Sequence, residues 1–143
     1  MQTIKDPGGT FAFSVPDDWE PTRSEAGTVC AAGLEHRANL VVVAQPKQAA
    51  SLDDQVKHSR AALRHAMPSW TPTVEEPRKV SGHPGHLIRS TAEMGGVQTL
   101  GQHLLVFTDR HEVTMSVSYP ASDSEALGPV VAQIVASLQL AGE

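Results

Sequence analysis

Thr10-Phe11-Ala12-Phe13-Ser14-Val15 alternates at period two and stops at Pro16-Asp17-Asp18. This predicts a strand running into a turn, since proline cannot donate to a ladder and aspartate favours turns. Trp19 follows, placed to close one end of a core. Residues 28–32 predict a weak strand. Asn39-Leu40-Val41-Val42-Val43-Ala44 predicts a stronger one, and its nearly continuous apolar run marks it as central or covered on both faces. At residues 51–67 the period changes: Leu52, Val56, Leu63 and Met67 recur at three- and four-residue spacings, with small Ser59 and Ala66 between them and Lys57, Arg60 and Arg64 elsewhere on the wheel. That is an amphipathic helix, capped by Ser51, with Asp53 and Asp54 at the positive end of its dipole and Pro68 as its stop. Residues 71–80, 85–94, 98–108 and 112–119 predict four more strands, with Gly95-Gly96 and Asp109-Arg110 as hairpin turns. A last helix spans 122–138, where Ser122 and Glu125 have capping-box spacing and Leu127, Val130, Val131, Ile134 and Leu138 form one stripe. Pro129 removes a backbone donor after the first turn, so either this helix kinks or its regular part starts later.

The Asp109-Arg110 turn sets Thr108 opposite His111 and thereby sorts the last hairpin into two faces. Leu100, Gln102, Leu104 and Val106 share one with Val113, Met115, Val117 and Tyr119, which is a core face. The other sets His103, Leu105 and Phe107 opposite Ser116, Thr114 and Glu112, a mixture only half committed to burial. Either a helix covers it, as in layered α/β packing, or it forms an apolar groove for a partner segment.

Composition narrows the classes. A chain of 143 residues that is 40% hydrophobic fits one domain, 1–143, with a core of its own. The net charge of −5 argues against a surface built to neutralise phosphates, so nucleic acid is not an expected partner. Cys30 stands alone, which excludes an internal disulfide and a cysteine-rich zinc site. No segment approaches the roughly 18 consecutive apolar residues of a membrane span. The opening residues lack a basic stretch followed by an apolar run, so a soluble cytoplasmic protein is expected, or an exported one if a leader has been removed.

Catalytic motifs are sparse. His83-Pro84-Gly85-His86 suggests a turn rather than a helical metal-ligand pair, His58 and His65 lie two helical turns apart, and His103 and His111 fall on opposite faces. No metal or cofactor is expected. Cys30 sits among small apolar residues and reads as a buried structural thiol, and no serine occupies a Gly-x-Ser-x-Gly turn. Ser81-Gly82-His83 reads as a loop fragment without a partner, and Asp17-Asp18 and Glu75-Glu76 point to opposite sides of extended chain. One polar constellation remains: Arg89 opposite Gln102 on the core side, near Tyr119, either a cross-strand hydrogen bond or a ligand contact.

The segment Gly9-Thr10-Phe11-Ala12-Phe13-Ser14-Val15-Pro16-Asp17-Asp18-Trp19 resembles the start of PsbP-like domains, in particular the bacterial DcrB-like and Eag chaperone group. Asn39-Leu40-Val41-Val42, Ser51-Leu52-Asp53-Asp54, Val80-Ser81-Gly82-His83-Pro84, Gln102 and Ala136-Ser137-Leu138 fit the same order, which is also similar to the actinobacterial LpqN lipoprotein family. The resemblance implies an α+β fold, an antiparallel β-sheet packed with helices in an α/β/α sandwich, and no catalytic residues. It further implies either a cytoplasmic chaperone holding apolar segments of type VI secretion effectors or an exported domain of LpqN or DcrB kind. The expectation is therefore a non-enzymatic binding module that holds an apolar segment of a partner on the face of His103, Leu105, Phe107, Thr114 and Ser116, with a homodimer also compatible. The rival is a small-ligand domain using Arg89, Gln102 and Tyr119.

Overall fold

The computed structural model describes residues 1–33, 35 and 37–141. Ten strands and two helices follow one another as β1 (Gln2–Lys5), β2 (Phe11–Val15), β3 (Glu20–Glu25), β4 (Thr28–Gly33), β5 (Ala38–Pro46), α1 (Leu52–Ala66), β6 (Thr71–Val80), β7 (His83–Met94), β8 (Val97–Phe107), β9 (His111–Pro120), α2 (Ser124–Ala136) and β10 (Gln139–Leu140). Seven strands form one antiparallel sheet in the order β3-β4-β5-β9-β8-β7-β6, and β1-β2-β10 form a small second sheet. The fold is α+β, an antiparallel sheet packed with helices, as the resemblance implied.

Two apolar clusters hold the layers together. The main one joins Leu104 and Val106 of β8 and Val113, Met115 and Val117 of β9 to Phe11, Phe13 and Val15 of β2 and to Leu127, Val131, Ile134 and Val135 of α2. Trp19, which follows the first turn, is buried in it. The smaller cluster, on the opposite sheet face, joins Val56 of α1 to Trp70, Ile88, Ala92 and Leu105, with Leu52, Leu63 and Met67 against it. Thus α1 covers one face of the large sheet, while α2 and the small sheet cover the other.

The local signals explain most boundaries. Ser51 caps α1 by accepting from the backbone N–H of Asp54 at 3.2 Å. Gly95 and Gly96 both adopt positive φ, +58° and +80°, as a tight β7–β8 hairpin requires. At the β8–β9 hairpin Thr108 bonds His111 backbone to backbone, and its Oγ1 accepts from the N–H groups of Arg110 and His111. The predicted register therefore holds, with Phe107 opposite Glu112, Leu105 opposite Thr114 and His103 opposite Ser116.

Several expectations need correction. His83-Pro84-Gly85-His86 is strand rather than turn; the turn is Ser81-Gly82, both at positive φ, and the Ser81 hydroxyl accepts from the N–H of Leu140. The last helix begins at Ser124 after a single 3-10 turn, so the Ser122–Glu125 capping box does not form and Pro129 stays inside the helix. Strands β1, β3 and β10 have no counterpart in the sequence pattern. β5 is central in hydrogen bonding but not covered on both faces, because Val41 is exposed.

Candidate functional site

The α1-facing side of the large sheet carries the groups expected to act. One row of cross-strand neighbours traverses it: Glu75, Ile88, His103, Ser116, Val41, Cys30 and Arg23. Ile88 is fully buried, whereas Val41 is 38% exposed and Arg23 lies in open solvent. The helix seals β7 and β8 and leaves the β3–β5 half uncovered.

Of the residues expected to receive a partner, His103 and Leu105 lie under the helix layer, Leu105 with no exposed surface. The exposed-groove expectation at these two residues is therefore overturned: Trp70, Val56 and Leu63 already occupy the apolar contact that a partner would make. Phe107 is partly buried, with the Lys47 ammonium 4.3 Å from its ring centre. Thr114 and Ser116, also partly buried, lie where the covered and open halves meet.

His103 is held as a neutral group. Its Nε2 pairs with the Ser90 hydroxyl at 3.2 Å and its Nδ1 with the Ser116 hydroxyl at 2.9 Å, and burial pushes its pKa down to about 4. Gly101 makes room for this network, since a Cβ there would stand 3.1 Å from both His103 Nε2 and Ser90 Oγ. The ring also meets Trp70 edge to face, with centroids 6.1 Å apart. A base this weak, both nitrogens already engaged, locks β7, β8 and β9 together rather than activating a nucleophile.

A second buried polar group fixes the chain entering α1. The Glu112 carboxylate accepts from the backbone N–H groups of Gln48 and Ala49 and from the Gln45 amide. Burial raises its pKa, but those hydrogen bonds and nearby His58 outweigh it, so the carboxylate stays ionised below the usual range. Beside it, Gln55, Ser59 and Ala62 of α1 form one wall of a pocket of about 230 Å³, with Gln45, Gln48, His58 and Thr114 around them.

Farther along β9 lies the open half, where Thr22, Cys30, Asn39, Val41, Ser116 and Ser118 line a depression of about 340 Å³. Cys30 is partly exposed there, which corrects its reading as a buried thiol. Asn39, Val41 and Cys30 escaped the sequence pattern; the one available signal was the alternation of Asn39, Val41 and Val43 against Leu40 and Val42. Both edges of the sheet resist strand addition: Pro21 and a bulge interrupt β3, and Pro72, Pro77 and a bulge interrupt β6.

The alternative site forms only in part. Arg89 does lie opposite Gln102, and Leu100 opposite Tyr119, but Gln102 and Tyr119 are buried and Arg89 alone is exposed. Burial raises the Tyr119 pKa against the opposing charge of Arg89, so its hydroxyl stays protonated. His86 of β7 bonds Glu75 at 2.8 Å, and Glu75 also pairs with Arg60 of α1, so this cluster ties helix to sheet. Among the described residues no group of three or more His, Cys, Asp or Glu is placed to hold a metal ion, and no helix is long and apolar enough to cross a membrane.

An antiparallel sheet with a capped helix on one face and a helix plus small sheet on the other defines the PsbP-like class of domain. Three solved structures share it across nearly the whole chain: LpqN of Mycobacterium tuberculosis, described as involved in cell envelope biogenesis (TM-score 0.71, 13% identity, 99% of this chain and 91% of that one); cyanobacterial PsbP, CyanoP, from Synechocystis sp. PCC 6803 (0.70, 14%, 98% and 92%); and PA94 of Pseudomonas aeruginosa, a protein of unknown function (0.70, 14%, 92% of each). Identities this low establish the fold alone. No family model matches the chain, and no curated protein matches it in sequence.

Proposed function

We propose that this chain is a non-enzymatic binding module, chaperone- or adaptor-like in the manner of the Eag group, that holds an apolar segment of a partner protein on the open half of the large sheet. The observation that carries this reading is the uncovered strip beside α1, with Val41 exposed and Cys30, Val43, Thr114 and Ser116 only partly buried. A strip three to four strands wide, at about 4.8 Å per strand, measures roughly 15–19 Å and accommodates one helix or extended segment. The prolines on both edges direct a partner to this face rather than to the ladder. Thr114 and Ser116 keep the role expected of them; His103 and Leu105 lie beside the strip under α1, and Phe107 farther along β8.

The test is fluorescence anisotropy with labelled apolar peptides, helical and extended, against the protein and its Val41→Asp and Ser116→Asp variants. Binding that disappears in both variants, with unchanged circular dichroism, is expected. Equal binding by all three proteins refutes the assignment. A second reading, an exported domain of LpqN kind, draws on the likeness to that envelope protein; fractionation of the tagged full-length product separates it from the cytoplasmic location that accompanies the chaperone-like reading.

A further inference from the structure

The pocket between α1 and the β5–β9 end of the sheet has a one-sided polarity at its base. Glu112 and Gln55 are buried there, 7% and 3% exposed, whereas the rim consists of exposed Gln45, Gln48 and His58. Gln55 donates through Nε2 to the carbonyl of Val113 at 3.3 Å, which fixes the orientation of its amide and leaves the buried Oε1 without a donor. A buried acceptor in that state costs about 1–3 kcal/mol. Glu112 Oε1 takes both loop N–H groups, while Oε2 takes only the Gln45 amide at 3.2 Å, so a carboxylate able to accept about four hydrogen bonds retains capacity. The unspent groups at the base are therefore acceptors, one of them anionic.

We infer that this pocket receives a hydrogen-bond-donating cation of side-chain size, a guanidinium group, supplied by an arginine of the segment lying in the adjoining strip. Its planar fork offers several N–H donors to the two acceptors, and its charge answers the Glu112 carboxylate. A volume of about 230 Å³ is ample for one such head group. Thr114 lines this pocket, and Ser116, two residues along the same strand face, lines the open depression, so an arginine at one end of a bound segment reaches the pocket while apolar positions rest on Val41. This inference rests on the sheet-face reading for the source of the arginine, but not for the pocket's chemistry.

The experiment is an NMR titration of the isotopically labelled full chain with ethylguanidinium chloride, matched by sodium chloride and by tetramethylammonium chloride, a cation without N–H donors. Saturable shifts confined to the Gln45 and Gln55 side-chain amides and to residues 48–49 and 55–59 are expected with ethylguanidinium alone. Glu112→Gln and Gln55→Met, each checked for retained spectral dispersion, are expected to weaken that binding by about tenfold or more. Should either variant lose dispersion, Ala62→Met, at an exposed helix position on the pocket wall that leaves both base acceptors in place, is expected to weaken the binding by obstructing the pocket, and unaltered binding there overturns the inference. Equal shifts with tetramethylammonium, or none that saturate, overturn the inference without touching the apolar-strip reading. Conversely, failure of the Val41 and Ser116 tests with ethylguanidinium still bound removes the segment and leaves a free guanidinium compound as the ligand. An arginine-bearing apolar peptide that binds no tighter than its citrulline counterpart overturns the segment as the source.

Discussion

Two halves of one sheet face, built from the same rows of neighbours, are finished differently. In the row from Ile88 through His103, Ser116 and Val41 to Cys30, exposure rises from nothing at Ile88 to 38% at Val41, although isoleucine and valine are equally suited to a core. The difference lies in α1, which packs mainly on β7 and β8 and touches β9 at Val113 through Gln55. Under it, apolar side chains are sealed by Val56 and Trp70 and polar ones are satisfied in the Ser90–His103–Ser116 network. Beyond it, Cys30, Val41 and Val43 of the same sheet face keep small or β-branched side chains with solvent above them. Burial on this face follows the reach of one helix rather than strand composition.

The most severe way to break that contrast is a charge on each side of the boundary. Leu105→Asp places a carboxylate under α1 with no partner and is expected to destabilise the fold by about 4 kcal/mol or more, enough to abolish a cooperative urea transition. A normal transition in this variant would mean that α1 lifts off easily and that the covered half is itself accessible.

How much of this contrast was legible in the sequence depends on the scale. The two-residue loop at Asp109-Arg110 determines which residues face one another, so the pairings Leu105–Thr114 and His103–Ser116 follow from counting. Period-two alternation assigns a residue to a face, but says nothing of what covers it. Leu105 beside Thr114, with Phe107 beside Glu112, looks the same under a helix as in a groove. Buried His103 was hidden for the same reason, because a polar residue satisfied by two serines has the signature of an exposed one. Strand β3 went unseen because all six of its residues are exposed, leaving no alternation to detect, and β10 is only two residues long.

The second prediction sharpens the comparison through pH. Unfolded, the His103 imidazole titrates near 6.5; folded, burial holds it at about 4. Between those values the unfolded chain binds a proton that the folded chain refuses, so stability falls as pH drops. Urea unfolding at pH 6.5 and pH 5 is expected to differ by about 1.6 kcal/mol from this group alone, at 1.36 kcal/mol per pKa unit. The carboxylates of Asp6 and Glu112 are held below their usual range, so their contributions disappear at lower pH, outside this window. His103→Gln is expected to remove most of the pH 6.5-to-5 difference. If it does not, His103 is not the buried neutral group that the covered half requires.

The smallest expected effect belongs to the open half and is the most diagnostic. Val41 shares its row with His103 but has 38% of its surface in solvent and no helix above it. A charged side chain at Val41 can keep its carboxylate in water, so Val41→Asp is expected to change the urea midpoint by no more than about 0.5 kcal/mol, as at ordinary surface positions. Some of that comes from replacing a β-branched residue in a strand with aspartate, which Val41→Thr controls for. A loss of 2 kcal/mol or more would show that something in solution already covers this strip and is displaced by the charge. A second copy of the chain is then the first candidate, and sedimentation at two concentrations distinguishes it from an internal rearrangement.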